Sequence, residues 1–113
     1  MNIKLLSLSK NEDFKSILTG KKISNKYLTI FFKRLSDKSN KNLNISFVAQ
    51  KKLGNAVKRN KIKRRLRNIM NQILKISKLN LNYSYLIITK KNIISADFAD
   101  IKEVTFNDFK KIK

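Results

Sequence analysis

The spacing of apolar residues near the start of the chain predicts a short helix. Ser9 and Glu12 form a capping-box pattern, in which each side chain caps the backbone of the other. Phe14, Ile17 and Leu18 then recur at helical spacing before Gly20 ends the pattern. We therefore predict a helix over residues 10–19.

Two segments in the first half of the chain have the composition of strands. Residues 27–33 and 45–49 are β-branched and aromatic, and the polar residues 36–44 lie between them. We expect a hairpin of two adjacent strands with a long loop. Alternation leaves Phe31 on the more polar face of the first strand. The opposite face is uniformly apolar and is predicted to be buried: Leu28, Ile30 and Phe32.

Asn55 is predicted to be the N-cap of a long helix over residues 55–77. Its apolar residues fall within a sector about 120° wide, which we expect to cover the sheet. They are Ile62, Leu66, Ile69, Met70, Ile73 and Ile76. The opposite side carries Asn60, Lys61, Arg64, Arg67, Asn71 and Lys75. Lys63 and Arg65 flank the apolar stripe, whereas Arg59 falls in line with it and is expected to reach past the edge of the core.

The last part of the chain predicts a third strand and a final helix. Residues 83–89 read as the strand, and residues 95–112 as a helix with Asp97 and Asp100 in its first turn. One side of this helix is apolar: Phe98, Ile101, Thr105, Phe109 and Ile112. The predicted order is α-β-β-α-β-α. We expect one α+β domain over residues 1–113, an α/β sandwich whose sheet is covered by the long basic helix.

The composition excludes several classes of catalytic site. The chain has no Cys and no His, so it cannot form a disulfide, a thiol nucleophile, an imidazole base or a structural zinc site. Its seven acidic residues lie mostly where helix N-termini are predicted. Neither a signal peptide nor a span of about 20 apolar residues is present, so we expect a soluble, cytoplasmic protein without membrane contact.

The charge is large and unevenly placed. The 113 residues include 27 Lys and Arg against 7 Asp and Glu, which gives a formal charge of +20. Residues 38–96 contain no acid, and residues 51–67 hold nine basic residues, including four of the five arginines. Like charges on one helix face oppose helix formation by a few tenths of a kcal/mol per pair. A polyanion is their natural complement, and arginine holds phosphate through two parallel hydrogen bonds.

Nucleic acid fits this pattern better than a membrane surface, because the apolar stripe of the long helix is committed to the sheet. RNA is favoured over DNA, since RNA is recognised largely through its backbone shape and by stacking on aromatic residues. A ribosomal or chaperone-like RNA-binding protein remains an alternative. A nuclease that uses Asp97 or Asp100 is another, and it would require cleavage by the protein alone.

Two segments resemble known motifs. The basic run at residues 51–67, entered by Lys-Lys-Leu-Gly-Asn-Ala-Val, resembles the signature of the bacterial ribonuclease P protein component. Residues 11–14, Asn-Glu-Asp-Phe, resemble the start of that family's first helix. The resemblance implies a left-handed crossover between parallel strands, the topology of the second domain of a ribosomal small-subunit protein. Physical rules alone would not suggest it, because right-handed crossovers dominate.

The resemblance also implies the function of the chain. In this family a catalytic RNA subunit cleaves the 5′ leader from precursor tRNA, using Mg²⁺ held mainly by the RNA. The protein binds that RNA and the leader, and has no catalytic residue, organic cofactor or obligate protein partner. The RNA-binding residues implied are Lys51, Lys52, Arg59, Asn60, Lys61, Lys63, Arg64, Arg65 and Arg67. The leader-binding residues implied are Phe14, Leu18 and Phe31.

The chain departs from the family pattern at two positions. Lys61 stands where the family has an arginine, which keeps the charge but loses the planar fork that grips phosphate. Leu18 stands where relatives often have an aromatic residue, which weakens stacking. Both departures are expected to reduce RNA affinity locally.

Overall fold

The computed structural model of the protein describes residues 5–6, 11–34, 42–77 and 79–112. Their secondary structure, in chain order, is β1 (Leu5–Leu6), α1 (Asn11–Leu18), β2 (Lys21–Ser24), β3 (Leu28–Arg34), β4 (Leu43–Val48), a 3-10 turn (Lys51–Leu53), α2 (Ala56–Ile76), β5 (Tyr83–Thr89), a second 3-10 turn (Lys91–Ser95) and α3 (Phe98–Lys111). The mixed α+β class is confirmed. Ser9, whose side chain was predicted to cap α1, lies outside the described residues.

The strands form one sheet in the order β1-β4-β5-β3-β2. Strands β4 and β5 are parallel neighbours joined by α2, whereas β3 is antiparallel to both β5 and β2. The predicted hairpin of β3 with β4 is therefore wrong, because β5 lies between them. The handedness of the crossover through α2 stays a prediction.

Strands β1 and β2 were not predicted. Strand β1 has two residues, and β2 consists of Lys-Lys-Ile-Ser with only Ile23 among them half-buried. An edge strand with polar side chains has no alternation of apolar residues to reveal it. The observed order within the described residues is thus β-α-β-β-β-α-β-α rather than α-β-β-α-β-α.

One face of the sheet is closed by α2 and α3. The apolar stripe of α2 is buried as predicted, at Ile62, Leu66, Ile69, Met70 and Ile73. Leu28, Ile30 and Phe32 of β3 belong to the same core cluster, again as predicted, together with Tyr85 of β5 and Phe109 of α3. Ile76 was expected in the stripe but is 58% exposed, because it is the last residue of the helix and lies beyond the turn that packs on the core.

Helix α1 packs on the opposite face of the sheet. It contacts β3 and β5, and Ile17 is buried there. Gly20 ends the helix at a close approach, since a Cβ atom at this residue would lie 2.7 Å from the backbone oxygen of Phe32. The side-chain amine of Lys33 donates a hydrogen bond to the hydroxyl of Ser16 at 2.7 Å. Among the described residues only α1 packs on this face, so the two sides of the sheet are unlike each other.

Candidate nucleic-acid interface

A glycine and an asparagine set the direction of the long basic helix. Gly54 has φ = 137°, a backbone conformation that side-chain-bearing residues rarely adopt, and it separates the first 3-10 turn from α2. The side-chain oxygen of Asn55 then accepts a hydrogen bond from the backbone N–H of Lys58 at 3.0 Å. Gly54 follows the 3-10 turn and Asn55 begins α2. The lysines of the turn therefore precede the basic residues of the helix by only a few positions.

The nine residues implied by the resemblance to bind RNA form what we call the basic surface. Six of them are exposed: Lys51, Lys52, Asn60, Lys61, Arg64 and Arg67. The other three are half-buried: Arg59, Lys63 and Arg65. Within the described part of the chain, the one ion pair joins Lys111 to Asp108 on α3, at 3.9 Å. The basic surface is therefore not neutralised by any acid in the described residues.

Two arginines of α2 make contacts with the protein itself. Arg65 donates a hydrogen bond from Nη2 to the backbone oxygen of Ala96 at 3.2 Å, which ties α2 to the segment before α3. The guanidinium of Arg67 lies 5.9 Å from the centre of the Phe47 ring, at the long end of a cation–π contact. Arg59 has its Nε buried without a hydrogen-bond partner among the described residues. The contacts of Arg65 and Arg67 therefore hold these two cations against the protein.

The other face of the sheet carries a second surface, which we call the sheet cleft. The strand register brings Phe31 beside Leu86 of β5, and Leu86 beside Ser46 of β4. The next row along these strands joins Thr29, Ile88 and Val48. Phe31, Val48 and Ile88 are half-buried, so each presents apolar surface to solvent.

The sheet cleft brings together only some of the predicted leader-binding residues. Phe31 lies in it, and Leu18 is 48% exposed at the end of α1, the helix that packs on this face. The side chain of Phe14 lies outside the described part of the structure. Val48 and Ile88 were missed, because the alternation of each strand assigns them to a face but nothing in the sequence shows which strands are neighbours.

The two surfaces meet at the carboxyl ends of the parallel strands. Lys51 and Lys52 follow β4, and Lys90 and Lys91 follow β5, all four exposed. Parallel neighbours end at the same edge of a sheet, so both pairs of lysines follow their strands at one end of the sheet cleft. The side-chain amine of Lys90 donates a hydrogen bond to the backbone oxygen of Asn25 at 2.7 Å. Lys90 and Lys91 were missed because 39 positions separate the two pairs in sequence.

Two observations bear on whether the protein could carry acid–base or metal chemistry. Burial, and secondarily the nearby Tyr83, raises the pKa of Tyr85 far above its ordinary value. Its hydroxyl donates to the backbone oxygen of Asn80 at 2.6 Å, so Tyr85 is a neutral core hydrogen-bond donor. The described residues contain no group of three or more acidic, His or Cys side chains able to hold a metal ion. Nor does any described helix have the length and apolar character needed to cross a membrane.

Comparison with known proteins identifies relatives over most of the chain. The family described as Ribonuclease P matches residues 3–113. The ribonuclease P protein component of Fusobacterium nucleatum is 35% identical over 112 residues, covering 95% of this chain and 96% of the relative. That of Listeria monocytogenes is 31% identical over 97 residues, covering 85% and 78%.

Two solved structures are similar to the whole fold. The RNase P protein from Thermotoga maritima has a TM-score of 0.79 and 25% identity, covering 95% of this chain and 97% of that one. The RNase P protein of Staphylococcus aureus has a TM-score of 0.73 and 26% identity, covering 94% and 93%. Sequence and structure therefore point to the same relatives.

Because Arg65 makes a hydrogen bond within the protein and Arg64 is exposed, we predict that their replacement by alanine has different effects on stability. We expect Arg65→Ala to lower the free energy of unfolding by about 1 kcal/mol, because the Ala96 oxygen loses its charged donor. The matched change Arg64→Ala removes an exposed cation and is expected to stay within about 0.5 kcal/mol of the wild type. Urea denaturation followed by circular dichroism measures both. Equal losses in the two variants would contradict the structural role of Arg65.

Proposed function

Because the chain belongs to the ribonuclease P protein component family, we propose that it binds the catalytic RNA subunit through the basic surface and the 5′ leader of precursor tRNA through the sheet cleft. The protein is a subunit of the ribonuclease P enzyme. The observation that carries the proposal is the basic surface itself, which has no neutralising acid in the described part of the protein.

The basic surface suits a structured RNA backbone. Helix α2 has 21 residues and extends about 30 Å, so its outward cations are spaced along a line that several phosphates can follow. Arg64 and Arg67 each offer a planar fork of donors, whereas Lys61 offers a point charge. Asn60 adds a neutral group that can donate to phosphate or to a base edge. This mixture supports tight, largely backbone-directed binding.

The sheet cleft suits a single strand. Phe31 presents a partly exposed ring beside Leu86, and an unpaired base can stack on it. Lys51 and Lys52 lie at the end of the same cleft, where they can neutralise the phosphates of a strand that follows it. Leu18 offers an apolar edge but no ring, so stacking in this protein depends mainly on Phe31. Phe14 is included in the proposed leader site only because the family resemblance implies it.

The division into two binding surfaces explains how a protein without a catalytic residue can assist the reaction. We propose that the chemistry and the Mg²⁺ ions belong to the RNA subunit. The protein holds the leader beside that RNA and reduces the repulsion between their phosphates. Less Mg²⁺ is then needed to bring the two RNAs together, and only the precursor, which has a leader, gains the extra contacts.

The protein is also proposed to work in the cytoplasm with RNA partners alone. It has no membrane contact, no organic cofactor and no obligate protein partner in this proposal. Its specificity then rests on the shape of the RNA subunit and on the leader.

Cleavage of precursor tRNA at low Mg²⁺ concentration tests the proposed function. We expect the protein to raise the rate at which its cognate RNA subunit removes the leader, and we expect this gain to shrink at high Mg²⁺, where the ion itself screens the phosphates. A gel assay of leader release measures it. The protein without the RNA subunit is the control and should cleave nothing. A rate unchanged by the protein at low Mg²⁺ would rule out the proposed function.

The salt dependence of binding to the RNA subunit tests the basic surface. Arg64→Ala and Arg67→Ala should each weaken binding and lower the slope of log K against log salt concentration by about one unit for each phosphate that is no longer neutralised. Lys110→Ala removes one exposed cation from α3 and is the control, because it changes the net charge by the same amount away from the basic surface. It should leave the slope nearly unchanged. Filter binding over a salt series measures all three. A folded Arg64 variant with the wild-type slope would remove that residue from the interface.

Removal of the Phe31 ring distinguishes the sheet cleft from the basic surface. Phe31→Ala should weaken binding of precursor tRNA to the assembled enzyme by about 5- to 10-fold, because one base can no longer stack, while affinity for mature tRNA is unchanged. Phe106→Ala makes the same change at a half-buried ring on α3 and should affect neither substrate. Affinities come from equilibrium binding of the two tRNAs. Equal losses for precursor and mature tRNA in the Phe31 variant would place that residue outside the leader site.

A further inference from the structure

A cavity that shares Lys61 and Arg65 with the basic surface is not itself used in the function proposed above. It has a volume of about 220 Å³ and lies between α2 and the segments that contain the two 3-10 turns. Three apolar and three cationic side chains line it: Leu53, Ile62, Ile94, Lys58, Lys61 and Arg65. Leu53 and Ile62 are buried, whereas Ile94, Lys58 and Lys61 are exposed. The cavity therefore has an apolar floor and a mouth that is largely cationic.

Ile94 gives the cavity its exposed apolar wall. In the second 3-10 turn, Ile93 is 2% exposed and belongs to the core, while its neighbour Ile94 is 48% exposed. A single exposed apolar side chain is common on protein surfaces and needs no explanation. Ile94 differs from such a residue because it shares a concave site with two buried apolar side chains.

The cations of the cavity are placed to hold an anion at its mouth. Lys58 lies against Gly54, where a Cβ atom would be 2.9 Å from its Cδ, so its chain follows the start of α2. Arg65 is held by its hydrogen bond to Ala96, which uses one of five guanidinium N–H donors. The nearest acid in sequence is Asp97, which is exposed and does not line the cavity. The site thus combines apolar surface with unneutralised positive charge.

We infer that this cavity binds one unstacked nucleobase of the RNA subunit, with the adjoining phosphate held by Lys58 and Lys61. A nucleotide joins a flat ring with an apolar face to a phosphate. The ring matches the apolar floor of the cavity, and the phosphate matches its cationic mouth. The cavity is smaller than the roughly 300 Å³ at which pockets for drug-sized molecules begin, so it admits a single base. Unpaired RNA bases are commonly splayed out and held in this way.

The inference rests on the proposed function, and it adds a contact with a base to a surface otherwise described by its contacts with phosphates. The RNA subunit is the favoured source of the base, because the cavity shares Lys61 and Arg65 with the basic surface and lies on α2. The sheet cleft, proposed for the leader, lies on the other face of the sheet.

A matched pair of isoleucine variants tests the inference. Ile94→Ser removes the apolar wall, and Ile76→Ser makes the same change at a residue that is 58% exposed at the opposite end of α2. Both residues are exposed, so both variants should fold, which circular dichroism verifies. We expect Ile94→Ser to raise the Kd for the RNA subunit by about 5- to 10-fold with an unchanged salt slope, because every phosphate keeps its cation. Ile76→Ser should bind like the wild type.

Chemical probing of the RNA bases supplies the second measurement. The wild-type protein should protect an unpaired base of the RNA subunit from dimethyl sulfate or carbodiimide, and this protection should disappear with Ile94→Ser but persist with Ile76→Ser. Equal Kd values for the two variants, or protection that survives Ile94→Ser, would overturn the inference alone. When precursor tRNA is added, protection of a leader base instead of a base of the RNA subunit would also overturn the inference. A wild-type protein that fails to bind the RNA subunit would overturn the proposed function as well.

Discussion

The packing of one stripe of α2 against the sheet is the interaction on which the rest of the structure depends. Five side chains of that stripe are buried, and each contributes about 1.5–3 kcal/mol by leaving water. Repulsion between neighbouring cations on the same helix costs a few tenths of a kcal/mol per pair. Burial therefore outweighs repulsion several-fold, even after allowance for a compact unfolded chain. A helix that would be weak alone is held in place with its cations outward.

Strand β5 divides the molecule into two unlike sides. Tyr85 and Ile87 point into the core beneath α2 and α3, while Leu86 is buried on the other face, where α1 packs. Only a strand that is apolar on both faces can occupy this central place. One side of the sheet is then closed and bears a cationic helix on its outside, and the other side keeps a partly open apolar surface. Two surfaces of different chemistry thus arise from one small fold.

The charge that favours RNA also works against the free protein. A surface without neutralising acids repels itself in the compact state, and an anion that binds only the native form stabilises it by mass action. Arg65, hydrogen-bonded to Ala96, and Arg67, near the ring of Phe47, show how some of this charge is held in position by the protein. Binding then requires less ordering of those side chains than free surface lysines would need.

Periodicity along the chain was enough to predict the buried stripe of α2, its cationic opposite face and the apolar face of β3, because helical and strand periodicity are local properties. The acid-free segment and the family motif are local as well, and together they pointed to the correct family. The folded structure was needed to show that β5 lies between β3 and β4, and hence that Val48 and Ile88 join Phe31 on one face. Strand pairing is a contact between residues that are distant in sequence. An apolar pattern on both faces predicts that a strand is central in the sheet, but it does not predict which strands pair with it. The cavity at Ile94 has the same origin, since its walls come from three segments that only the folded chain brings together.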